Sequence, residues 1–218
     1  MDLNHVLIID SFLTSKECNK LIKINSSVKF SKEVPVAGYE NKIIDILSEE
    51  LKFLPKKLQK AISKYSKKYP EINFIASLNL VDCRIKRFRP GKHFAHWHAD
   101  HSPYTTKRIL GVMIYLTDHK SGTEFFNGNI VRSKEGRLII WPSSFTHMHR
   151  GQKCPNNKER YIFSAYFEYS PRIHPENVGY TREALKFWRF VILQLFFWLF
   201  CLQVDHKRVP LSTFHLQV

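Results

Sequence analysis

The order of apolar and polar positions predicts helices in the first third of the chain. Residues 6–9 form a short β-branched run, and Thr14 and Glu17 after it have capping-box spacing. From residue 41 to about residue 69, apolar side chains recur at helical spacing between lysines and glutamates, with Pro55 as a break. We therefore expect one strand, a helix that begins near residue 15, and one or two amphipathic helices.

From about residue 78 the pattern changes to short apolar runs separated by turn residues, which is typical of strands. These runs are residues 80–88, 109–116, 124–131, 137–141 and 161–169. Their spacing predicts an antiparallel sandwich or barrel with the helices packed outside it. We expect one domain over residues 1–170, with its β core at about 78–170, followed by a tail over residues 171–218.

The tail contains the most apolar stretch of the chain, residues 187–204, in which Arg189 is the single charge. Its length is at the lower limit for a membrane-spanning helix, which needs roughly 20 apolar residues. Three interpretations stay open. The stretch is a membrane contact, as a tail anchor or an interfacial helix; it is a helix that covers the β core or a dimer contact; or it is a non-native extension from a shifted reading frame.

The net charge of +15 predicts attraction to anions, whether nucleic acid, anionic lipid or an acidic substrate. The four cysteines lie far apart without a Cys-x-x-Cys pair, so neither a disulfide framework nor a thiolate zinc site is indicated. We expect buried thiols in a reducing compartment. The first residues lack the features of a secretory signal, so the expected localisation is cytoplasmic.

Seven of the eleven histidines lie between His93 and His149, which indicates a metal site. Residues two apart on an extended chain point to the same side, so His98 and Asp100 can face one ion. A third ligand can come from His147 or His149, which follow a later predicted strand. Two imidazoles and one carboxylate leave coordination positions open, as in non-haem Fe(II) oxygenases.

Six groups of motifs, in order over residues 6–169, resemble the 2-oxoglutarate- and Fe(II)-dependent dioxygenases. The likeness is to their prolyl 4-hydroxylase-like branch, including its short bacterial and phage-type members. The resemblance implies a mainly β fold with flanking helices, in which N-terminal helices pack on a double-stranded β-helix, or jelly roll. The matching segments are residues 6–18, 87–91 with 97–100, 114–118, 121–125, 136–142 with the histidines after it, and 160–166.

Carried over residue by residue, the resemblance makes His98, Asp100 and His149 the iron ligands, with His147 as the other candidate for the last position. It makes Arg160 the partner of the distal carboxylate of 2-oxoglutarate, a role that suits the planar guanidinium fork. Tyr115 matches a position that gives a hydroxyl to the same carboxylate in some relatives, or it is a core tyrosine.

The sequence departs from the family pattern at two positions. Phe88 stands where many relatives have a tyrosine near the cosubstrate, and Ser121 replaces the first glycine of a common pair. A cupin-type site is disfavoured, because the glutamate which that motif needs a few residues after its histidines is missing.

The implied function is hydroxylation of a C–H bond, with a peptidyl proline as one candidate target. Fe(II), 2-oxoglutarate and O2 are the expected cofactors, ascorbate is a further candidate, and succinate and CO2 are released. The expected partner is a peptide or small-molecule substrate, nucleic acid is not required, and residues 187–204 are a candidate membrane contact. The alternative is a basic nucleic-acid-binding module that retains the fold without catalysis.

Overall fold

The computed structural model describes residues 4–24, 29–33, 37–74, 78–155 and 157–169. The predicted tail, with its apolar segment 187–204, lies outside these residues. The described elements are β1 Leu7–Ile9, α1 Ser15–Lys23, β2 Glu40–Ile43, α2 Phe53–Lys68, β3 Leu78–Phe88, β4 Arg108–Tyr115, β5 Gly122–Phe125, β6 Ile130–Arg132, β7 Leu138–Pro142, β8 His149–Gly151 and β9 Arg160–Tyr169, with short 3-10 turns at Glu49–Leu51, Pro70–Phe74 and Phe145–His147.

The strands form two antiparallel sheets, which confirms the mainly β fold with flanking helices. The larger sheet has the order β1-β7-β4-β9-β3-β2, and the smaller sheet has the order β6-β5-β8. Most neighbouring strands in the larger sheet are not consecutive in the chain, as in a jelly roll, so the sheet joins distant parts of the domain. A backbone bridge between His98 and His149 links the segment after β3 to the smaller sheet.

Helices α1 and α2 cover one face of the larger sheet. The capping box predicted at the start of α1 is present, since Thr14 Oγ1 accepts from the Glu17 amide at 3.3 Å and the Glu17 carboxylate accepts from the Thr14 amide at 2.8 Å. The apolar stripe of α2, which includes Leu54 and Leu58, packs in one cluster with Ile85 and other residues of that sheet face. The opposite face lines a second, smaller cluster that surrounds a cavity.

The helical prediction over residues 41–69 is wrong at its start, because Glu40–Ile43 form strand β2 and α2 begins only at Phe53. Asn41 and Ile43 pair with β3, and the two alternating polar side chains point inward to partners: Glu40 accepts from Arg87 at 2.9 Å, and Lys42 donates to a carbonyl oxygen at 3.1 Å. Paired polar side chains can be buried, so the apolar spacing misled the prediction.

Two further differences concern a helix start and short strands. Pro55 does not break α2, because it lies in the first turn, where amide groups have no partner within the helix. The predicted strand over residues 124–131 is a hairpin of β5 and β6, which turns at Gly128 with a positive φ of 83°. Strand β8 was missed, since three residues carry no readable periodicity.

The thiols of Cys18, Cys83 and Cys154 are free and buried, as the sequence predicts. Within the described ranges, no helix is long and apolar enough to cross a membrane.

Candidate metal centre

Three side chains that the sequence predicts as ligands meet in one cluster. Ligand atoms of His98, Asp100 and His149 all lie within 4.8 Å of one another. His98 Nε2 is 4.0 Å from Asp100 Oδ1, and His149 Nε2 is 3.9 Å from Asp100 Oδ2. The donor set of two imidazoles and one carboxylate is the facial arrangement that suits Fe(II) and leaves positions open for other ligands.

The backbone bridge brings the two histidines together although they are distant in sequence. The His98 amide donates to the His149 carbonyl at 3.1 Å, and the His149 amide donates to the His98 carbonyl at 2.9 Å. Strand β8 is in turn held by β5 through the pair Phe125 and His149. Asp100 is two residues after His98 and therefore faces the same side.

Each imidazole is oriented by a bond to the backbone. Nδ1 of His98 lies 3.1 Å from the His96 carbonyl oxygen, and Nδ1 of His149 lies 3.1 Å from the His147 carbonyl oxygen. With Nδ1–H as the donor, the lone pair of Nε2 faces the cluster in both rings. Burial, and then the neighbouring His149, lowers the pKa of His98 to about 4, so this ring is neutral at pH 7, as a metal ligand must be.

The carboxylate of Asp100 is oriented by two residues that sequence reasoning did not assign. Trp141 Nε1 donates to Asp100 Oδ2 at 3.1 Å in the interior. A Cβ atom at Gly111 would lie 2.6 Å from the indole and 2.8 Å from Asp100 Oδ2, so only glycine leaves room for both groups. Trp141 lies in the matching segment 136–142. The role of Gly111 cannot be predicted from a single sequence, because it depends on the indole of Trp141 on the neighbouring strand β7.

Arg160 lies at the start of β9 and is 3% exposed. Nη1 donates to Ser121 Oγ at 3.1 Å, and the guanidinium carbon is 4.7 Å from the centre of the Phe88 ring. Nε is buried without a hydrogen-bond partner among the described residues. A buried cation with an unsatisfied N–H donor suits an anionic ligand. Phe88 and Ser121, the two departures from the family pattern, both contact this guanidinium.

Tyr115 lines the same cavity, but its hydroxyl already has protein partners. It lies 2.8 Å from Thr123 Oγ1 and donates to the Val131 carbonyl at 2.9 Å. Burial raises the pKa of Tyr115 to about 12. Its assignment to the cosubstrate stays a prediction, as do the roles of the other site residues.

His147 points away from the cluster. Its Nε2 is 2.7 Å from the Asn4 carbonyl oxygen, and its Nδ1 is 2.9 Å from Thr146 Oγ1, so both ring nitrogens are occupied. His96 and His101, which flank the first motif, are exposed. Of the two candidates for the last ligand, the structure brings only His149 to the other two residues.

The cluster and Arg160 share one cavity of about 260 Å³. Its walls are partly apolar, with Val112, Met113 and Ile162 among the lining residues, and Lys86 and Arg108 line it as well. A ligand that reaches from Arg160 to the metal cluster would therefore contact both charged and apolar side chains.

Comparisons with known proteins agree with this geometry. Residues 83–168 match the family model of the 2OG-Fe(II) oxygenase superfamily. No curated protein matches the chain.

Among solved structures, the chain is similar to a viral collagen prolyl hydroxylase from Paramecium Bursaria Chlorella virus-1 in a 2-oxoglutarate complex (TM-score 0.59, 20% identity, 78% of this chain and 98% of that one). A prolyl hydroxylase from Trichoplax adhaerens, in complex with a peptide fragment of the hypoxia inducible factor oxygen degradation domain, has a TM-score of 0.57 at 15% identity, with coverages of 76% and 84%. HygX from Streptomyces hygroscopicus, with nickel, 2-oxoglutarate and hygromycin B bound, has a TM-score of 0.54 at 10% identity, with coverages of 77% and 84%.

At these identities the structural likeness shows the fold, while the family match covers the segments that carry His98, Asp100, His149 and Arg160. Residues 83–168 therefore match the 2OG-Fe(II) oxygenase superfamily, and the chain shares its fold with solved prolyl hydroxylases.

Proposed function

We propose that the protein is an Fe(II)- and 2-oxoglutarate-dependent hydroxylase that converts a substrate C–H bond to C–OH and releases succinate and CO2. The observation that carries the proposal is the common cavity of the His98, Asp100 and His149 cluster and of Arg160, whose buried Nε has no hydrogen-bond partner among the described residues. The side chains that would bind a metal ion and those that would bind a dicarboxylate thus line one cavity.

His98, Asp100 and His149 would hold the iron, which supplies the redox chemistry that activates O2 when it is bound. Because the pKa of His98 is lowered to about 4, this imidazole meets the ion without prior deprotonation at pH 7. Trp141 holds Asp100 through its indole N–H, so the carboxylate keeps its direction in both the empty and the loaded protein.

Arg160 would bind the distal carboxylate of 2-oxoglutarate, because a buried guanidinium gains most from a ligand that offers a matching anion. Ser121 fixes the direction of the guanidinium. Val112, Met113 and Ile162 add apolar walls to the same cavity, and apolar walls limit the access of water and strengthen electrostatic contacts beside them.

For the substrate, we propose a peptide or a small molecule. The Trichoplax enzyme holds a peptide and HygX holds hygromycin B, so the fold accommodates both kinds of ligand. A peptidyl proline is the finer hypothesis, supported by the likeness to prolyl hydroxylases. The alternative of a nucleic-acid-binding module without catalysis has no support from the family match or the site. Cytoplasmic localisation and a membrane contact through residues 187–204 stay predictions.

The function is tested by succinate formation. Purified protein with Fe(II), ascorbate and 2-oxoglutarate should release succinate by slow uncoupled turnover even without a substrate. We expect His98→Ala, Asp100→Ala and Arg160→Ala to lose it, whereas His96→Ala, at an exposed histidine beside the motif, keeps it. Succinate formation that is unchanged in all three site variants would show that the site is assigned wrongly.

A further inference from the structure

Lys86 brings a second cation into the cavity, apart from Arg160. It lies on β3 two residues before Phe88, so both side chains face the same side of the sheet. It pairs across the sheet with Ile162, another lining residue, whereas Phe88 pairs with Arg160. The Lys86 side chain therefore enters the cavity about one strand repeat away from the guanidinium, roughly 7 Å along β3.

The ammonium group of Lys86 has no hydrogen bond or ion pair to any residue that the structure describes. Its one contact of note is the ring of Tyr39, whose centre is 4.8 Å from Nζ. A lysine has three N–H donors, and a partly buried charge without a partner is unfavourable. Burial lowers the pKa of Lys86 to about 8, a value at which the side chain is still mainly protonated at pH 7.

Arg108, the third cation that lines the cavity, is in a different situation. Its Nη2 donates to Asp82 at 2.9 Å, its Nε is 3.6 Å from a Glu168 oxygen, and its guanidinium lies 3.5 Å from the centre of the Tyr166 ring. Its charge is therefore compensated within the protein, so it needs no ligand. Lys86 is the cavity cation whose charge no acidic side chain meets at contact distance among the described residues.

The charges of the loaded site point to what Lys86 binds. Two positive charges of Fe(II) and one of Arg160 are matched by Asp100 and the two carboxylates of 2-oxoglutarate. Arg108 and its neighbour Arg84 are together matched by Asp82 and Glu168. The Lys86 ammonium then remains as an uncompensated charge in a cavity of low dielectric, where one further carboxylate would be bound strongly.

We propose that Lys86 binds a carboxylate of the primary substrate, so that the enzyme acts on an acid, such as an amino acid, a peptide C-terminus or an acidic side chain. The proposal rests on the proposed function, since it takes Arg160 and the cluster as the sites of cosubstrate and metal. The same chemistry could be supplied by a carboxylate of 2-oxoglutarate itself, and the experiment separates these two sources.

The test uses the full chain loaded with Ni(II), which replaces the redox-active iron, and saturating 2-oxoglutarate. The probes are the standard amino acids, each as the free acid, the N-acetyl acid and the N-acetyl amide. Thermal shift identifies binders, and calorimetric titration then gives their affinities. The variants are Lys86→Met, which removes the charge, and Lys86→Arg, which keeps it, with Lys60→Met on the exposed face of α2 as a control for net charge.

We expect at least one acid to bind tenfold or more tightly than its amide, a difference of about 1.4 kcal/mol. Lys86→Met should abolish this preference, while Lys86→Arg and Lys60→Met retain it and all variants bind 2-oxoglutarate with the affinity of the wild type. A preference that persists in Lys86→Met, or the absence of any preference in the wild type, would overturn the proposal. Weaker 2-oxoglutarate binding in Lys86→Met would also overturn it, by assigning Lys86 to the cosubstrate. Failure of the wild type to bind 2-oxoglutarate would instead contradict the proposed function.

Discussion

Gly111→Ala tests whether the space beside Asp100 controls the metal site. The new methyl carbon would lie 2.6 Å from two carbon atoms of the Trp141 ring and 2.8 Å from Asp100 Oδ2. Non-bonded carbon atoms normally lie about 3.5 Å apart or more, so the indole, the carboxylate or both must move by roughly 1 Å. The hydrogen bond between them, 3.1 Å long in the wild type, cannot survive such a shift with good geometry.

Two magnitudes follow for Gly111→Ala. Overpacking of an interior site costs about 1–3 kcal/mol in the free energy of unfolding. Loss of an outer partner of a metal ligand lowers metal affinity by about 10- to 100-fold. We therefore expect both effects together, measured by urea unfolding of the metal-free protein and by calorimetric titration with Fe(II) under anaerobic conditions.

Two further variants separate crowding from general destabilisation. Gly128→Ala changes a glycine with a positive φ and open space around it, so it should lose stability and keep its metal affinity. Trp141→Phe removes the indole donor and part of the ring that the methyl group would strike, so the double variant should lose less affinity than the two single variants added together. Metal affinity of Gly111→Ala equal to that of the wild type, or strict additivity with Trp141→Phe, would refute the reasoning.

Three other expectations concern single side chains. His149→Ala should abolish metal binding in a calorimetric titration and His147→Ala should leave it intact, because both ring nitrogens of His147 are bound elsewhere; the reverse result would make His147 the ligand. Lys86→Met should unfold at a higher urea concentration than the wild type at pH 7. Burial lowers the pKa of Lys86 from 10.5 to about 8, so between pH 8 and 10.5 this side chain binds fewer protons in the folded wild type than in the unfolded chain. The free energy of unfolding of the wild type therefore rises with pH over this range, and its difference from that of Lys86→Met should narrow. A difference that is independent of pH would contradict this. Thr14→Ala should lower the free energy of unfolding by about 1 kcal/mol through loss of the helix cap, with no effect on metal affinity, and a change in metal affinity would speak against a purely local effect.

The parts of the fold that could be predicted from the sequence are those with local signals. The capping box marked α1, and the long apolar runs marked β3, β4 and β9 to within two residues. Strand β2 could not be predicted, because its inward side chains, Glu40 and Lys42, are polar and depend on partners that are distant in sequence. Local periodicity does not contain that information.

The same distinction applies to the site. His98 and Asp100 are two residues apart, so their common direction follows from strand geometry alone. The preference for His149 over His147 required the resemblance, since only the bridge to His98 fixes which ring turns inward. Gly111 was missed because its importance comes from the space that it leaves for Trp141 and Asp100. Lys86 was missed because its importance comes from its place in the cavity and from the lack of an acidic partner among the described residues.

The bridge between His98 and His149 bears on how a bound metal ion changes the rigidity of the segment between β3 and β4. The segment between β3 and β4 carries two ligands but has no regular strand or helix of its own, and the third ligand lies on the other sheet. A bound ion would therefore act as a cross-link that closes a long loop, and closing a loop of that length removes much conformational freedom from the open chain. Amide protons of this segment should then exchange more slowly with solvent once the ion is bound, because the ion adds a further link to the two backbone hydrogen bonds of the bridge.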